Sequence, residues 1–183
     1  MTIDTLLEQF YTDLILVKRD SVETASTYKE SSKLFLTWRS EEKIKLKTVR
    51  PQDLIYYLLK RRTEGTSELT VAKDISALRA LGEYLVRLDI WEQNFALGLD
   101  KPKANRALPR VLSVEQVDKL LSVIDKSTPL GIRDDALFEL IYSCGLRISE
   151  AASLCIPNVH LNERIILVHG KGDKERIVPF GET

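Results

Sequence analysis

Arg147 and Glu150 have the residue types and the spacing of an anion-binding pair. Side chains three residues apart on a helix can form an ion pair, which would orient the guanidinium. A planar guanidinium held in this way suits two phosphate oxygens. Arg147 follows Gly145-Leu146 within an apolar stretch, where an arginine is rarely found unless it is paired or used. A purely structural ion pair explains the pattern equally well, so both interpretations stay open.

Lys171 is a second candidate, because glycines flank it in the short turn Gly170-Lys171-Gly172. Its ammonium group can reach a partner across the turn, and the glycines let the backbone approach closely. The turn is not a nucleotide-binding P-loop, since it lacks that spacing and leads into a strand instead of a helix. An ordinary exposed turn lysine is the simpler interpretation when the turn is taken alone.

Four amphipathic helices are predicted ahead of these two candidates, because apolar residues recur there at helical spacing. Pro51 suits the first turn of the third helix, and Gly65 ends it. The four helices cover about residues 3–17, 22–39, 53–62 and 68–90. Four such helices with short connections predict a helical bundle as a first domain, residues 1–97.

The stretch 98–112 is predicted to be an interdomain linker, because it holds glycine and prolines and shows no sustained period. A second domain, residues 113–183, begins at Ser113, which forms a capping-box pattern with Gln116. Its further predicted elements are helices over about 133–144 and 148–154 and strands over 165–168 and 176–180. The two strands flank the Lys171 turn and therefore predict a β-hairpin.

Basic residues cluster although the 27 basic and 27 acidic side chains balance. The balance alone argues mildly against nucleic-acid binding, but the distribution of charge matters more than the total. The linker cluster, which contains no acidic residue, consists of Lys101, Lys103, Arg106 and Arg110. Two further clusters are Arg39, Lys43, Lys45, Lys47 and Arg50, and Lys60, Arg61 and Arg62. Either solvated faces or phosphate contacts explain such clusters, and charge alone does not decide between them.

Other kinds of site find little support in the sequence. Cys144 and Cys155 have neither disulfide nor metal spacing and are predicted to be small core residues. His160 and His169 are isolated and are predicted to be structural or solvated. No metal site, cofactor or small-molecule substrate is expected. No apolar run approaches the roughly 20 residues of a membrane helix, and no signal pattern is seen, so we expect a cytoplasmic protein without membrane contact.

Two motifs resemble those of the tyrosine recombinases, the phage integrase family. Gly145 to Glu150, preceded by Arg133 to Leu137, is similar to the family's first arginine motif. Gly170 to Pro179 is similar to its lysine hairpin, and the spacing between the two motifs also matches. Further similarities are Leu108 to Ser113 at the start of the catalytic domain, and Thr24, Tyr28, Phe35 and Trp91-x-x-Asn94 in the helical domain. The bacterial Xer type is the most similar subtype.

The resemblance implies a mainly α chain. A four-helix, SAM-like core-binding domain is expected first, then the incomplete start of an α+β catalytic domain, made of helices and a β-hairpin. In the family a tyrosine attacks the scissile phosphate and forms a 3′-phosphotyrosyl link. Arg147 matches the arginine that stabilises the phosphorane, Lys171 matches the lysine that protonates the departing 5′-hydroxyl, and Glu150 supports Arg147. No cofactor is needed, because the covalent link conserves the bond energy.

The resemblance also implies partners, namely duplex DNA at a recombination site and sister recombinase protomers. The expected DNA contacts are Lys101, Lys103, Arg106 and Arg110 in the linker cluster, and Lys43, Lys45 and Lys47 in the helical domain. Resolution of chromosome dimers is the activity that the Xer likeness suggests.

The chain also departs from the family pattern. It contains no His-x-x-Arg pair, and none of its six tyrosines lies after Tyr142. We therefore expect a fragment of a recombinase that lacks the nucleophile and is inactive by itself. A stand-alone protein that occupies recombination sites without cleaving them is the alternative.

Overall fold

The computed structural model describes residues 2–102, 111–170 and 174–181. The chain divides into two units, Met1–Ala107 and Leu108–Thr183, and each is described by itself. Among the described residues, no helix is both long enough and apolar enough to cross a membrane.

Four helices form the first unit, at the places that the apolar periodicity predicts. They are α1 (Ile3–Leu16), α2 (Val22–Glu41), α3 (Pro51–Thr63) and α4 (Glu68–Arg87). The side-chain oxygens of Thr2, Ser21 and Ser67 each accept a hydrogen bond from a backbone amide in the first turn of α1, α2 and α4. Such caps satisfy amides that have no partner within the helix. Pro51 takes the first position of α3, where its missing N–H costs nothing.

A continuous apolar core joins the four helices. Its aromatic centre is Phe35, Trp38 and Tyr57, whose ring centroids lie 5.4–6.1 Å apart. Tyr57 meets Phe35 edge to face, the arrangement that the ring quadrupoles favour. The core therefore fixes α2 against α3 and α4, and with them the exposed residues that these helices and their connections carry.

Side-chain hydrogen bonds hold the segment that follows α4 against the first unit. The Arg79 guanidinium donates to the carbonyl oxygens of Ala96 and Leu99, at 3.3 and 2.6 Å. Asn94 donates back to the Arg79 carbonyl at 2.8 Å, and the Trp91 indole donates to Leu46 at 2.9 Å. These bonds fix the backbone up to Leu99, immediately before the predicted linker cluster.

The second unit combines three helices with a small sheet. Its elements are α5 (Val114–Ser122), α6 (Pro129–Cys144), α7 (Ile148–Ala152), β1 (Val159–His160), β2 (Ile165–Gly170) and β3 (Lys174–Pro179). The capping box at Ser113 and Gln116 is present, with both hydrogen bonds formed. Helix α6 begins four residues before the predicted start, because Thr128 caps it and Pro129 occupies its first position.

The sheet is antiparallel in the order β1-β2-β3, and it contains the predicted hairpin as β2 and β3. Among the described residues, Ile166 and Val168 of β2 form a buried apolar cluster with Leu146 and Ala151. The prediction that both cysteines lie in a core is wrong for Cys155, which is exposed, whereas Cys144 is half-buried against this cluster. Cys155 lies in the connection between α7 and β1 and not on a buried face of either.

Candidate functional site

Arg147 lies in a sharp connection between α6 and α7. Helix α6 ends at Gly145, which adopts the left-handed conformation (φ 60°) that favours glycine. Leu146 then enters the core at 4% exposure, and Arg147 begins α7 with its side chain 71% exposed. The turn divides the apolar stretch around Arg147, because it sends Leu146 inward and Arg147 outward.

Glu150 supports Arg147 from the first turn of α7. Its Oε2 accepts a hydrogen bond from the Arg147 backbone amide, and its Oε1 accepts one from Arg147 Nη1, both at 2.8 Å. The Glu150 side chain is only 4% exposed, so this carboxylate is a buried anchor for an exposed cation. Nε and Nη2 of Arg147 have no hydrogen-bond partner among the described residues, so this edge of the guanidinium is open to solvent.

Arg176 on β3 is a second partner of Glu150, which the sequence analysis missed. Its Nη1 donates to Oε1 and its Nη2 to Oε2, both at 2.8 Å, in a bidentate pair. From described residues alone, Glu150 therefore accepts four hydrogen bonds, which matches the full capacity of a carboxylate. The available signal was the alternation along β3, which sets Arg176 on the same inward face as Val178 and Phe180. A cation on such a face requires a buried anion.

Among the residues that the structure describes, the charges of this cluster leave one cation in excess. The bidentate Arg176 pair, with the hydrogen bonds from Arg147, holds the pKa of the Glu150 carboxyl well below its ordinary value of 4.5. The same pair raises the pKa of Arg176. At neutral pH two guanidinium groups therefore face one carboxylate, and the exposed group is that of Arg147. Such an arrangement can bind an anion and stabilise negative charge that develops on it.

Lys171 lies outside the described residues. The positions on either side of its turn are described, and Gly170 pairs with Lys174 at the end of the hairpin. A Cβ placed on Gly170 would lie 3.6 Å from both Glu150 Oε1 and Arg176 Nη1. Gly170, at the described end of the hairpin, therefore lies beside the carboxylate that holds Arg147.

Three lysines that follow α2 in the helical unit form an exposed basic segment. Lys43, Lys45 and Lys47 are exposed, whereas the intervening Ile44 and Leu46 pack on the core. This alternation points the three ammonium groups toward solvent. Lys43 has a φ of 57°, in the left-handed region that is uncommon for a lysine.

The other basic clusters separate into structural and exposed members. Arg61 pairs with buried Asp74, and Arg62 pairs with Glu68 at the surface. Arg39 donates to the Ile44 carbonyl, and its half-buried guanidinium is structural as well. In the linker cluster Lys101 is exposed, whereas Lys103, Arg106 and Arg110 lie outside the described residues.

Family models match both units. Residues 7–88 match the N-terminal SAM-like domain of phage integrases, and residues 110–183 match the phage integrase family itself. The chain belongs to the phage integrase family. The SAM-like match corresponds to the four helices, and the second match contains Arg147, Glu150, Lys171 and Arg176. The fold expected from the motifs, a SAM-like helical unit and the start of an α+β unit, is confirmed.

Curated relatives and solved structures extend this assignment. Tyrosine recombinase XerD of Listeria monocytogenes serotype 4b (strain F2365) is 36% identical over 97% of this chain and 61% of its own length. Tyrosine recombinase XerC of Bacillus pumilus (strain SAFR-032) is 36% identical over 96% of this chain and 58% of its own. The chain thus spans about three fifths of these relatives.

Among solved structures, the fold is similar to the XerH recombinase bound to palindromic difH substrate in a post-cleavage complex. That match has a TM-score of 0.69 at 24% identity and covers 94% of this chain and 52% of XerH. A lambda integrase dimer bound to a COC′ core site has a TM-score of 0.70 at 15% identity, covering 98% and 49%.

Proposed function

We propose that this chain binds duplex DNA and contributes two catalytic side chains to site-specific recombination. The observation that carries the proposal is the exposed guanidinium of Arg147, anchored on the buried carboxylate of Glu150. The names of the curated relatives, tyrosine recombinases XerD and XerC, support the reaction class. The DNA-bound state of the related XerH and lambda integrase structures supports duplex DNA as the partner.

In this proposal Arg147 and Lys171 act at different atoms of the scissile phosphate. Arg147 stabilises charge on the non-bridging oxygens as the pentavalent phosphorane forms. Lys171 gives a proton to the 5′-oxygen as it leaves. The two contributions are separable, because one depends on the phosphoryl oxygens and the other on the basicity of the leaving group. Glu150 does not touch the phosphate and keeps Arg147 in place.

The attacking tyrosine of the family has no counterpart among these 183 residues, since none of the six tyrosines lies after Tyr142. We therefore expect the 183-residue chain alone to bind DNA without cleaving it. A covalent phosphotyrosyl adduct between this chain and a suicide DNA substrate would contradict this assignment of roles. Sister protomers belong to the same proposal, supported by the dimer of lambda integrase. Resolution of chromosome dimers belongs to it as an expectation from the resemblance to the Xer type.

The basic segment after α2 and the linker cluster are the proposed backbone contacts. Lysines that neutralise phosphates release counterions, so the logarithm of the affinity falls linearly with the logarithm of the salt concentration, by about 0.9 per contact. We expect Lys43, Lys45 and Lys47, changed together to glutamine, to reduce this slope by up to about 3. The same change at Lys101, Lys103, Arg106 and Arg110 tests the linker.

A matched control removes three lysines that the structure shows in ion pairs. Lys18, Lys29 and Lys60 pair with glutamates, so their replacement by glutamine removes the same charge without removing an available phosphate contact. The proposal requires the Lys43, Lys45 and Lys47 variant to lose more slope than this control. Equal slopes in the two triple variants would exclude the segment after α2 as a phosphate-binding surface.

A further inference from the structure

Arg176 and Arg147 share the Glu150 carboxylate but differ in how much of each guanidinium that carboxylate engages. Both of its terminal nitrogens are engaged by Glu150, in the bidentate pair described above. Its side chain is 38% exposed, against 71% for Arg147. Arg147 commits a single side-chain nitrogen to the same carboxylate. The fork of Arg176 is therefore occupied, whereas that of Arg147 has an open edge.

The geometry of Glu150 depends on Arg176. The carboxylate must offer Oε2 to the Arg147 amide and Oε1 to the Arg147 guanidinium at the same time. A bidentate arginine fixes the plane of a carboxylate, because two parallel hydrogen bonds allow little rotation. Without Arg176, Glu150 would keep only the two Arg147 bonds, which restrain its plane less than all four bonds together.

We infer that Arg176 is a positioning residue for the phosphate site, holding Glu150 so that the open edge of Arg147 is fixed. This inference rests on the proposed phosphate-binding role of Arg147. Arg176 also lies on β3, next to Gly170 on the neighbouring strand β2, and a Cβ placed on Gly170 would lie 3.6 Å from the same carboxylate. The carboxylate that holds Arg147 therefore lies beside the described end of the hairpin.

A double-mutant cycle on DNA affinity in the 183-residue chain tests this inference. Loss of a charge-assisted hydrogen bond in Arg147→Gln should weaken binding to a labelled duplex about tenfold. Arg176→Gln should weaken it to a similar extent, because Arg147 is then no longer held. If Arg176 acts through Arg147, the double variant should bind no more weakly than Arg147→Gln alone. Arg176→Lys, which keeps the charge but not the fork, should fall between wild type and Arg176→Gln.

Two other outcomes would overturn the inference. Additive losses in the double variant would make Arg176 an independent DNA contact. A lower melting temperature of Arg176→Gln with unchanged DNA affinity would make it a structural residue only. Lys126→Gln is the matched control, because it removes one cation and one ion pair, with Asp135, from the same unit. It should leave DNA affinity unchanged within about twofold, since the ammonium group of Lys126 is already engaged by Asp135.

A readout without DNA separates this inference from the proposed function. Arg176→Gln should raise the pKa of the Glu150 carboxyl toward its ordinary value, and carboxyl-carbon NMR measures this change. The same variant should average the guanidinium NMR signals of Arg147. Lys126→Gln should change neither. If the wild-type chain does not bind DNA, the proposed function fails, yet this NMR comparison still decides whether Arg176 positions Arg147. Unchanged Glu150 and Arg147 signals in Arg176→Gln would overturn the positioning role.

Discussion

Each unit contains a buried carboxylate, but the two are used differently. Asp74 on α4 is 2% exposed, and its partner Arg61 on α3 is largely buried as well, at 19%. Glu150 on α7 is 4% exposed, and its neighbour Arg147 is 71% exposed. The Asp74 pair thus joins two helices inside a bundle, whereas Glu150 holds a cation at the surface. The exposure of the partner, and not the burial of the acid, distinguishes a fold-stabilising pair from a candidate site.

The charge ratio separates the two clusters further. Within the described part of the chain, Asp74 has one arginine partner, whereas Glu150 has two and leaves a positive charge in excess. A balanced pair gains nothing from an external anion. An excess cation that a carboxylate already holds in place can bind an external anion without the entropic cost of ordering a flexible side chain.

The largest expected effect is on stability in the first unit. Arg61→Ala would leave Asp74 buried without its cation, and this should lower the free energy of unfolding by about 3 kcal/mol. Denaturation followed by tryptophan fluorescence measures this unit, because Trp38 and Trp91 are both in its core. Arg62→Ala breaks an exposed pair with Glu68 and should cost less than about 1 kcal/mol. Equal losses of unfolding free energy in the two variants would show that the buried Arg61 pair is no more stabilising than the exposed Arg62 pair.

The stability of the second unit should depend on pH through Glu150, and an acid titration measures this dependence. Because the pKa of Glu150 is lower in the folded chain than in the unfolded chain, the unfolded chain binds more protons at acid pH. The contribution of Glu150 to stability is therefore complete above its ordinary pKa of 4.5 and is lost as the pH falls below that value. Hydrogen exchange of the β2 and β3 amides follows this unit. Glu150→Gln should flatten the profile, and an equally steep profile in that variant would show that another group is responsible.

The smallest expected effect is that of Arg147 on stability. Its side chain is mostly in solvent, and Glu150 would keep both bonds to Arg176 and the bond to the backbone amide. Arg147→Gln should therefore change the free energy of unfolding of the second unit by no more than about 0.5 kcal/mol. The same hydrogen-exchange experiment measures it. A loss comparable to that of Arg61→Ala would mean that Arg147 has the structural role left open in the sequence analysis.

Local signals predicted most of the architecture. Apolar periodicity located the four helices of the first unit, and the Ser113 capping box located the start of α5, because these features depend on neighbours within one or two turns. The spacing of Arg147 and Glu150 predicted their ion pair for the same reason. The two-residue strand β1 was not predicted, because a segment so short has no measurable period and exists only through its pairing with β2.

Features that depend on distant neighbours were harder to predict. Alternation along β3 marks Arg176 as inward-facing, but its partner Glu150 is 26 residues away, and no local pattern identifies it. The exposure of Arg147 follows from the left-handed turn at Gly145, which reverses the direction of the side chains after it. The apolar flanking sequence therefore indicates the burial of Leu146 but not the exposure of Arg147.

Cleavage of DNA with a 5′-bridging phosphorothiolate tests most directly whether Arg147 and Lys171 have the proposed roles. The test protein is a recombinase of full family length that begins with these 183 residues, such as a fusion to the remainder of a curated relative. Arg147→Ala should reduce cleavage of ordinary DNA by about 10²–10³. Lys171→Ala should reduce it as well, but only its defect should be rescued by the thiolate leaving group, which needs no proton. Rescue of Arg147→Ala with continued impairment of Lys171→Ala would contradict these roles.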